Sequence, residues 1–210
     1  MTIASRLVAM LVTGFARAVT GVRPEWRGCE PSPGRRVYFA NHASHGDFVL
    51  IWTVLPVHLR RLTRPVAARD YWGGGGLTGF VGREVFNAVL IDRTPASDRP
   101  HPIEHLKSVL AEGSSLIFFP EGTRNTTEEI LLPFKSGLYH LARGDTETEF
   151  VPVWIDNLSR VMPKGKLLPI PLLCSVTFGA PLQLGPDETK DAFLDRARAA
   201  LLDLQPKAIS

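Results

Sequence analysis

The chain has 210 residues, of which 44% are hydrophobic and 21% charged, and its net charge is +3. This length suits one domain with a full core, and the modest positive charge suits an anionic membrane or a phosphorylated substrate. No RNP-like, zinc-finger or basic-helix pattern points to nucleic acid. Cys29 and Cys174 lack the spacing of a disulfide framework or a zinc site, so we predict reduced structural cysteines in a cytoplasmic setting.

An uncharged apolar segment lies near the amino terminus, between Arg6 and Arg17. It is shorter and more interrupted than the about 20 apolar residues of a spanning helix. Its larger side chains share one helical face: Leu7, Met10, Leu11 and Phe15. We therefore predict that residues 1–24 form an amphipathic helix in a membrane interface. Two alternatives remain, an ordinary helix packed on the domain and a signal peptide cleaved at Ala16-Arg17-Ala18.

Strand-like and helical segments alternate through the rest of the chain. Strands are predicted at Val37–Ala40, Pro65–Ala68, Ala88–Ile91, Ser115–Phe118, Phe150–Ile155 and Leu172–Phe178. Helices are predicted at Asp47–Leu55, from the glycines at 73–76 through Phe86, and at Pro102–Ala111, Lys135–Arg143 and Asp187–Leu204. This alternation predicts an α/β fold for residues 25–210, a single domain with a mostly parallel central sheet flanked by helices.

Two polar clusters directly follow predicted strands. Residues 41–47 follow the first strand, and residues 119–124 follow the strand Ser115–Phe118. In parallel sheets, ligands collect beyond the carboxyl ends of the strands. Because His42, Arg93 and Glu121–Arg124 all come just past a strand, parallel strands would bring them to one rim.

The first cluster combines a candidate base with an acid. A histidine such as His42 can accept a proton near neutral pH, and Asp47 could bind the far ring nitrogen and set the tautomer. Since the chain has no G-x-S-x-G nucleophile elbow, the activated hydroxyl would belong to a substrate. Asn41 could supply a donor. The alternative is that His42 and Asp47 have only structural roles.

Cationic side chains accompany the second cluster. The guanidinium groups of Arg93 and Arg124 match phosphate geometry, and Lys135 could add a point charge. Arg93 taken alone could also be a solvated surface charge. His45 lies three residues from His42, but no third ligand with zinc-like spacing follows, so no metal site is predicted.

The backbone of the second cluster also suits ligand binding. Gly122 lets the chain approach a ligand closely, and Glu121 could hold an arginine or accept a hydrogen bond from a substrate hydroxyl. The candidate substrate-binding residues are Asn41, Arg93, Glu121, Gly122, Thr123, Arg124 and Lys135.

Together these strings resemble the glycerolipid acyltransferase family, typified by 1-acyl-glycerol-3-phosphate acyltransferases. Its N-H-x-x-x-x-D motif is matched by Asn41, His42 and Asp47. Its strand ending in arginine is matched by residues 89–93, its F-P-E-G-T-R motif by residues 119–124, and its Phe-Lys-x-Gly element at 134–137. The fourth motif, V-P-V-x-P, lacks its second proline at residue 155. The resemblance covers about residues 35–180. The missing proline leaves the chemistry intact and weakens any assignment of acyl-chain or acceptor preference.

The resemblance implies a function. His42 would be the general base, Asp47 would orient it, and Arg93, Glu121–Gly122 and Arg124 would bind the acceptor's phosphate. The enzyme would be an O-acyltransferase that moves a fatty acyl group from acyl-CoA or acyl carrier protein to a lysophospholipid, 1-acyl-sn-glycerol 3-phosphate giving phosphatidic acid. It would need no metal or other cofactor. It would work at the cytoplasmic face of the membrane as a peripheral or monotopic protein.

Two other functions remain open. In an acyl-thioesterase, His42 would activate water, but such an enzyme needs no phosphate cradle. A non-catalytic lipid-binding or membrane-tethering protein would keep the basic rim and the amphipathic amino terminus, but it has no use for the pair of His42 and Asp47.

Overall fold

Strands and helices alternate along the chain in the computed structural model, which describes residues 2–92, 101–156 and 173–206. The strands are β1 (Arg23–Trp26), β2 (Arg36–Ala40), β3 (Thr63–Ala68), β4 (Val89–Ile91), β5 (Ser115–Phe118), β6 (Glu149–Asp156) and β7 (Ser175–Phe178). The helices are α1 (Ile3–Thr20), α2 (Asp47–Val54), α3 (Val57–Arg60), α4 (Arg69–Trp72), α5 (Gly76–Phe80), α6 (Pro102–Ala111), α7 (Gly137–Ala142) and α8 (Lys190–Leu202), with a π-helical turn at Val81–Val85.

All these strands join one seven-stranded sheet in the order β1-β7-β6-β2-β5-β3-β4. The strands from β6 to β4 run parallel, whereas β7 is antiparallel to β6 and carries β1 parallel to itself. Helices α1 and α2 with the π-helical turn cover one face, and α6, α7 and α8 cover the other. The predicted α/β fold with a mostly parallel sheet is confirmed.

Strand β2 lies at the centre of the sheet, and all five of its residues are buried. Val37 and Phe39 pack against the side covered by α6–α8, while Tyr38 and Ala40 pack on the side of α1 and α2, as the two-residue period of a strand requires. Burying a large apolar side chain contributes about 1.5–3 kcal/mol. The loop that follows β2 therefore starts from a rigid base.

Strand β1 was not among the predicted elements. It is a short edge strand of sequence Arg-Pro-Glu-Trp with three exposed residues, and charge and proline are typical of edges. Trp26 holds it in place by stacking on Phe178, with ring centroids 4.0 Å apart. Since β1 begins at Arg23, it also spans the predicted boundary between residues 24 and 25.

Several predicted boundaries shift. The helix predicted at Lys135–Arg143 begins at Gly137, so Lys135 precedes it. The segment predicted as one helix through Phe86 is α5 followed by the π-helical turn. The last predicted strand is confirmed from Ser175; its first residue, Leu172, lies outside the described residues.

Helix α1 packs on the domain with one face and exposes the opposite one. Its buried face consists of small residues: Ser5, Ala9, Thr13, Ala16 and Thr20. Its exposed face carries large apolar side chains that are 53–80% exposed: Ile3, Leu7, Met10, Leu11 and Phe15. The predicted apolar face is therefore present, on a helix that also contacts the domain.

The 18 residues of α1 have the length and composition to cross a membrane. The prediction from the sequence rested only on the shorter uncharged segment between Arg6 and Arg17. One side of α1 contacts the domain, because a buried residue recurs on every turn from Ser5 to Thr20. Arg17 also ties α1 to the end of α2, where its Nη2 donates to the carbonyl of Thr53 at 3.3 Å.

Both cysteines are free, as predicted. Burial and the nearby Asp156 carboxylate raise the pKa of the Cys174 thiol to about 11. Burial also raises the pKa of Cys29. Neither thiol therefore has the thiolate character of a nucleophile.

Candidate active site

Parallel pairing of β2 with β5 brings the two polar clusters together. Phe39 lies opposite Phe118 in the register, so the loops after both strands leave the sheet at the same edge. The loops are also bonded to each other, because the N–H of Asn125 donates to the carbonyl of His42 at 2.6 Å. The structure thus places His42 and the 121–124 segment on one rim, as the argument from parallel strands predicts.

His42 and Asp47 form a hydrogen-bonded pair. Nδ1 of His42 lies 2.8 Å from Oδ2 of Asp47, whose side chain is 2% exposed. The same carboxylate oxygen accepts the backbone N–H groups of Ala43 and Ser44 at 2.7 and 2.8 Å. These bonds hold the carboxylate at the start of α2, so Asp47 fixes both the loop and the orientation of the imidazole.

The other ring nitrogen of His42 is available for chemistry. With Nδ1–H donating to Asp47, Nε2 carries the lone pair, and it has no hydrogen-bond partner among the described residues. The side chain is 19% exposed. One ring face stacks on Phe119, with centroids 4.1 Å apart. The imidazole is held on two sides and accessible at Nε2, which is the arrangement a general base needs.

Glu121 is buried beneath this loop and acts on it through the backbone. It is 2% exposed; its Oε1 accepts the N–H of His42 at 2.7 Å and its Oε2 the N–H of Leu132 at 2.9 Å. Burial raises the pKa of the Glu121 carboxyl, against the effect of these two hydrogen bonds. Each oxygen accepts one backbone hydrogen bond, so Glu121 positions His42 through the backbone; its contact with a substrate stays a prediction.

Lys135 lies over Gly122. Gly122 has φ +67°, and a Cβ there would come within 2.9 Å of Lys135 Cδ and 3.0 Å of its Nζ. The backbone N–H of Lys135 donates to the carbonyl of Pro120 at 2.9 Å, which fixes the lysine beside the loop. Glycine is therefore required at 122 both for its backbone conformation and to make room for this cation.

Arg124 and Thr123 complete the rim. Arg124 is half-buried and Thr123 exposed. Within the described ranges, the side chains of Arg124 and Lys135 have no carboxylate partner. Two cations without a counterion on the same rim as His42 have the charge that an anionic ligand requires.

The side chain of Asn41 is bonded to the backbone of β6. Its side-chain amide donates to the carbonyl of Ile155 at 3.0 Å and accepts the Ile155 N–H at 2.8 Å. Both ends of the amide are thus bonded to β6, continuing the pairing of β2 and β6 by one residue. Asn41 therefore supports the loop; its role as a donor to a substrate stays a prediction.

Arg93 lies outside the described residues. It would follow β4, which is three positions from β2 in the sheet order. In the part of the chain that the structure describes, no group of three His, Cys, Asp or Glu residues could hold a metal ion.

Sequence reasoning missed the contribution of Phe119, whose ring supports the imidazole. It also missed two backbone partners: the N–H of Leu132, which binds Glu121, and the N–H and carbonyl of Ile155, which bind Asn41. The sequence did contain a signal for Phe119, because this residue begins the F-P-E-G-T-R string. The backbone partners had none, because their contacts span 11 and 114 positions in the chain.

The Acyltransferase family model matches residues 23–156, which is more than half of the 210 residues. The chain belongs to the Acyltransferase family, which confirms the resemblance seen in the motifs.

Two relatives in particular are similar to the chain. It is 29% identical over 182 residues to a 1-acyl-sn-glycerol-3-phosphate acyltransferase of Chlamydomonas reinhardtii, an alignment that covers 84% of this chain and 50% of that protein. It is 29% identical over 187 residues to a 1-acyl-sn-glycerol-3-phosphate acyltransferase of Cocos nucifera, with coverage of 86% and 57%. The chain thus spans about half the length of the curated relatives it matches.

A solved structure shares the fold. The crystal structure of the 1-acyl-sn-glycerophosphate (LPA) acyltransferase PlsC from Thermotoga maritima superposes with a TM-score of 0.68 at 19% identity. The superposition covers 97% of this chain and 83% of that one. The α/β architecture is therefore shared along nearly the whole chain.

We expect Glu121→Ala to destabilise the protein by at least about 2 kcal/mol, because it leaves two buried backbone N–H groups without an acceptor and each costs about 1–3 kcal/mol. Glu121→Gln keeps one acceptor oxygen and should cost less. Urea unfolding followed by circular dichroism measures both. Glu128→Ala, at an exposed position of the same loop, is the control. Equal stability of Glu121→Ala and Glu128→Ala would show that the carboxylate does not hold the loop.

Proposed function

We propose that this protein is an O-acyltransferase that moves a fatty acyl group from acyl-CoA or acyl carrier protein to the free hydroxyl of a lysophospholipid. The acceptor we propose is 1-acyl-sn-glycerol 3-phosphate, and the product phosphatidic acid. The observation that carries the proposal is the pair of His42 and Asp47 with an accessible Nε2, on the rim that also holds the unpaired cations Arg124 and Lys135. The names of the two relatives support the choice of acceptor.

The chemistry is a direct transfer with His42 as general base. Nε2 takes the proton of the acceptor hydroxyl while the hydroxyl oxygen attacks the thioester carbonyl carbon. The tetrahedral intermediate collapses, the carbon–sulfur bond breaks, and the imidazolium returns its proton to the leaving thiolate. No group of the protein becomes acylated.

Asp47 supports both proton transfers. Its carboxylate holds the Nδ1–H tautomer and stabilises the imidazolium that forms when Nε2 takes a proton. General-base catalysis contributes about 10²–10⁴-fold. Holding hydroxyl and thioester in attack geometry can supply about 7–11 kcal/mol, so the groups that position the acceptor matter at least as much as the base.

The acceptor's phosphate would lie against Arg124 and Lys135. Arg124 offers a planar pair of donors, and the Lys135 ammonium lies over Gly122, where the exposed backbone permits close approach. A phosphate bound there would place the glycerol hydroxyl toward the neighbouring loop of His42. The resemblance adds Arg93 to this set.

We further propose that α1 binds the membrane surface at its cytoplasmic face, as a peripheral or monotopic element. The apolar side chains on its exposed face, such as Leu11 at 71% and Phe15 at 70% exposure, have no protein to cover them in the described part of the chain. An amphipathic helix with this pattern lies in the interface with its apolar face in lipid. A lysophospholipid could then reach the site from the same leaflet.

Replacing His42 with alanine should abolish acyl transfer while the protein stays folded, since α2 and Asp47 keep their backbone bonds. Labelled acyl-CoA with 1-acyl-sn-glycerol 3-phosphate, read by product mass, measures the transfer. His58→Ala, at an exposed position of α3, is the matched control. Full activity of folded His42→Ala would eliminate the mechanism. Thiol release by the wild type at the same rate without lysophospholipid would instead indicate a thioesterase.

Lys135→Ala and Arg124→Ala should each lower kcat/KM for the phosphorylated acceptor by about tenfold to a hundredfold, the loss expected for a hydrogen bond to a charged group. With monoacylglycerol as acceptor, which has no phosphate, the variants should match the wild type. Lys190→Ala on α8 serves as the control for lost charge. An equal loss with both acceptors would show that these residues do not recognise the phosphate.

Changing Leu11 and Phe15 together to serine should weaken binding to lipid vesicles by at least about tenfold, because each buried apolar side chain contributes about 1.5–3 kcal/mol. Vesicle co-sedimentation measures the binding. Ile130→Ser removes a side chain of similar exposure, 60%, outside α1. Unchanged binding of the double variant would rule out α1 as the membrane-binding element.

A further inference from the structure

A cavity of about 770 Å³ lies on the face covered by α1 and α2, away from the catalytic rim. Trp52 near the end of α2, Thr63 at the start of β3 and Asn87 just before β4 all line it. These positions belong to the amino-terminal edge of the parallel strands, whereas His42 follows a carboxyl end. The eight residues of α2 separate the two places by about 12 Å at 1.5 Å per residue.

Positive charge dominates the cavity lining. Four arginines line it, Arg6, Arg60, Arg61 and Arg83, against one carboxylate, that of Glu84. In the ranges 2–92, 101–156 and 173–206, none of these guanidinium groups forms a salt bridge. So much unneutralised charge around one cavity attracts an anion.

Arg60 is held in a fixed position with an unused donor. Its guanidinium lies over the ring of Trp52 at 4.9 Å, and its Nη2 donates to the carbonyls of Thr53 and Leu55 at 2.7 and 3.0 Å. Its Nε is buried and has no partner, and the same is true of Nε1 of Trp52, a residue that is 3% exposed. Burial and the nearby Arg17 lower the pKa of Arg60. Buried donors without acceptors are rare and call for a ligand or ordered water.

The rest of the lining is apolar. Ala9, Trp52, Val85 and Phe86 form it together with Met10 and Val57. Met10, 61% exposed, also belongs to the apolar face of α1, so the cavity adjoins the surface that we propose to lie in lipid. A ligand that matches this lining has an anionic head and an apolar tail.

We infer that this cavity binds the headgroup of an anionic phospholipid from the membrane leaflet, with the phosphate on Arg6, Arg60 and Arg61 and acyl chains along Met10 and Phe86. This inference rests on the proposed membrane association of α1 but not on acyl transfer. The bound lipid would neutralise the arginines and join α1, α2 and the π-helical turn into one lipid-contacting surface.

The test compares the full chain with a variant carrying Arg6→Gln and Arg61→Gln, both exposed side chains that bond no other described residue. The control carries Arg143→Gln, just after α7, and Lys190→Gln, at the start of α8; it removes the same charge from the other face of the sheet. Binding is measured to vesicles of phosphatidylcholine alone and of phosphatidylcholine mixed with phosphatidylglycerol. Quenching of Trp52 by brominated phosphatidylglycerol, corrected with Trp52→Phe, reports occupancy of the cavity.

We expect phosphatidylglycerol to strengthen the binding of the wild type to vesicles, and its brominated form to quench Trp52. The affinity of the variant for vesicles with phosphatidylglycerol should be lower than that of the wild type by about tenfold or more. The affinity of the control should match that of the wild type. An equal loss in variant and control would mean diffuse attraction and would overturn the inference. Relief of the quenching by inorganic phosphate at low concentration would also overturn it, because the site would then take a free anion. Failure of every protein, wild type included, to bind phosphatidylcholine vesicles would instead contradict the membrane role of α1.

Discussion

The buried carboxylate of Glu121 is the interaction on which the site depends. It accepts one N–H from the loop after β2 and one from Leu132, and so joins segments far apart in the chain. Because those donors would otherwise be buried without acceptors, the position of His42 is coupled to the whole loop after β5. His42 is thus held from below by Glu121, from the side by Phe119, and at its ring nitrogen by Asp47.

The two edges of the sheet have different chemistry. At the carboxyl edge, an accessible imidazole lies with two cations on a rim suited to a phosphorylated alcohol. At the amino edge, four arginines surround a partly apolar cavity. Helices α1 and α2 cover the face between these edges, and the outer side of α1 is apolar. If α1 lies in lipid, one protein surface presents both the rim of His42 and the arginine-lined cavity to the same leaflet. Such an arrangement would suit an enzyme that acts on membrane lipids.

Most of the fold could be predicted from the sequence because the central strands are continuous apolar runs and their flanking helices carry clear start and stop signals. The helix Pro102–Ala111 and the strand Ser115–Phe118 have the predicted bounds. Strand β1 could not be predicted, since its sequence Arg-Pro-Glu-Trp has no apolar run and charge and proline mark it as an edge. Its partner among the described strands is β7, where Arg23 lies opposite Ser175. The roles of Asn41 and Glu121 were also beyond reach, because their partners are backbone groups and carry no residue-type signal.

The sequence by itself determined the family and the alternation of strands and helices, and it pointed to His42 and Asp47 as the candidate base and orienting acid. Those properties depend on local patterns: apolar runs, and short strings in which side-chain chemistry and spacing coincide. Only the tertiary structure decided which polar residues lie open on the rim and which hold the loop through backbone hydrogen bonds. It alone brought the arginines of α1, α3 and the π-helical turn around one cavity. Such decisions depend on long-range packing, where a side chain's role follows from the groups that folding places beside it.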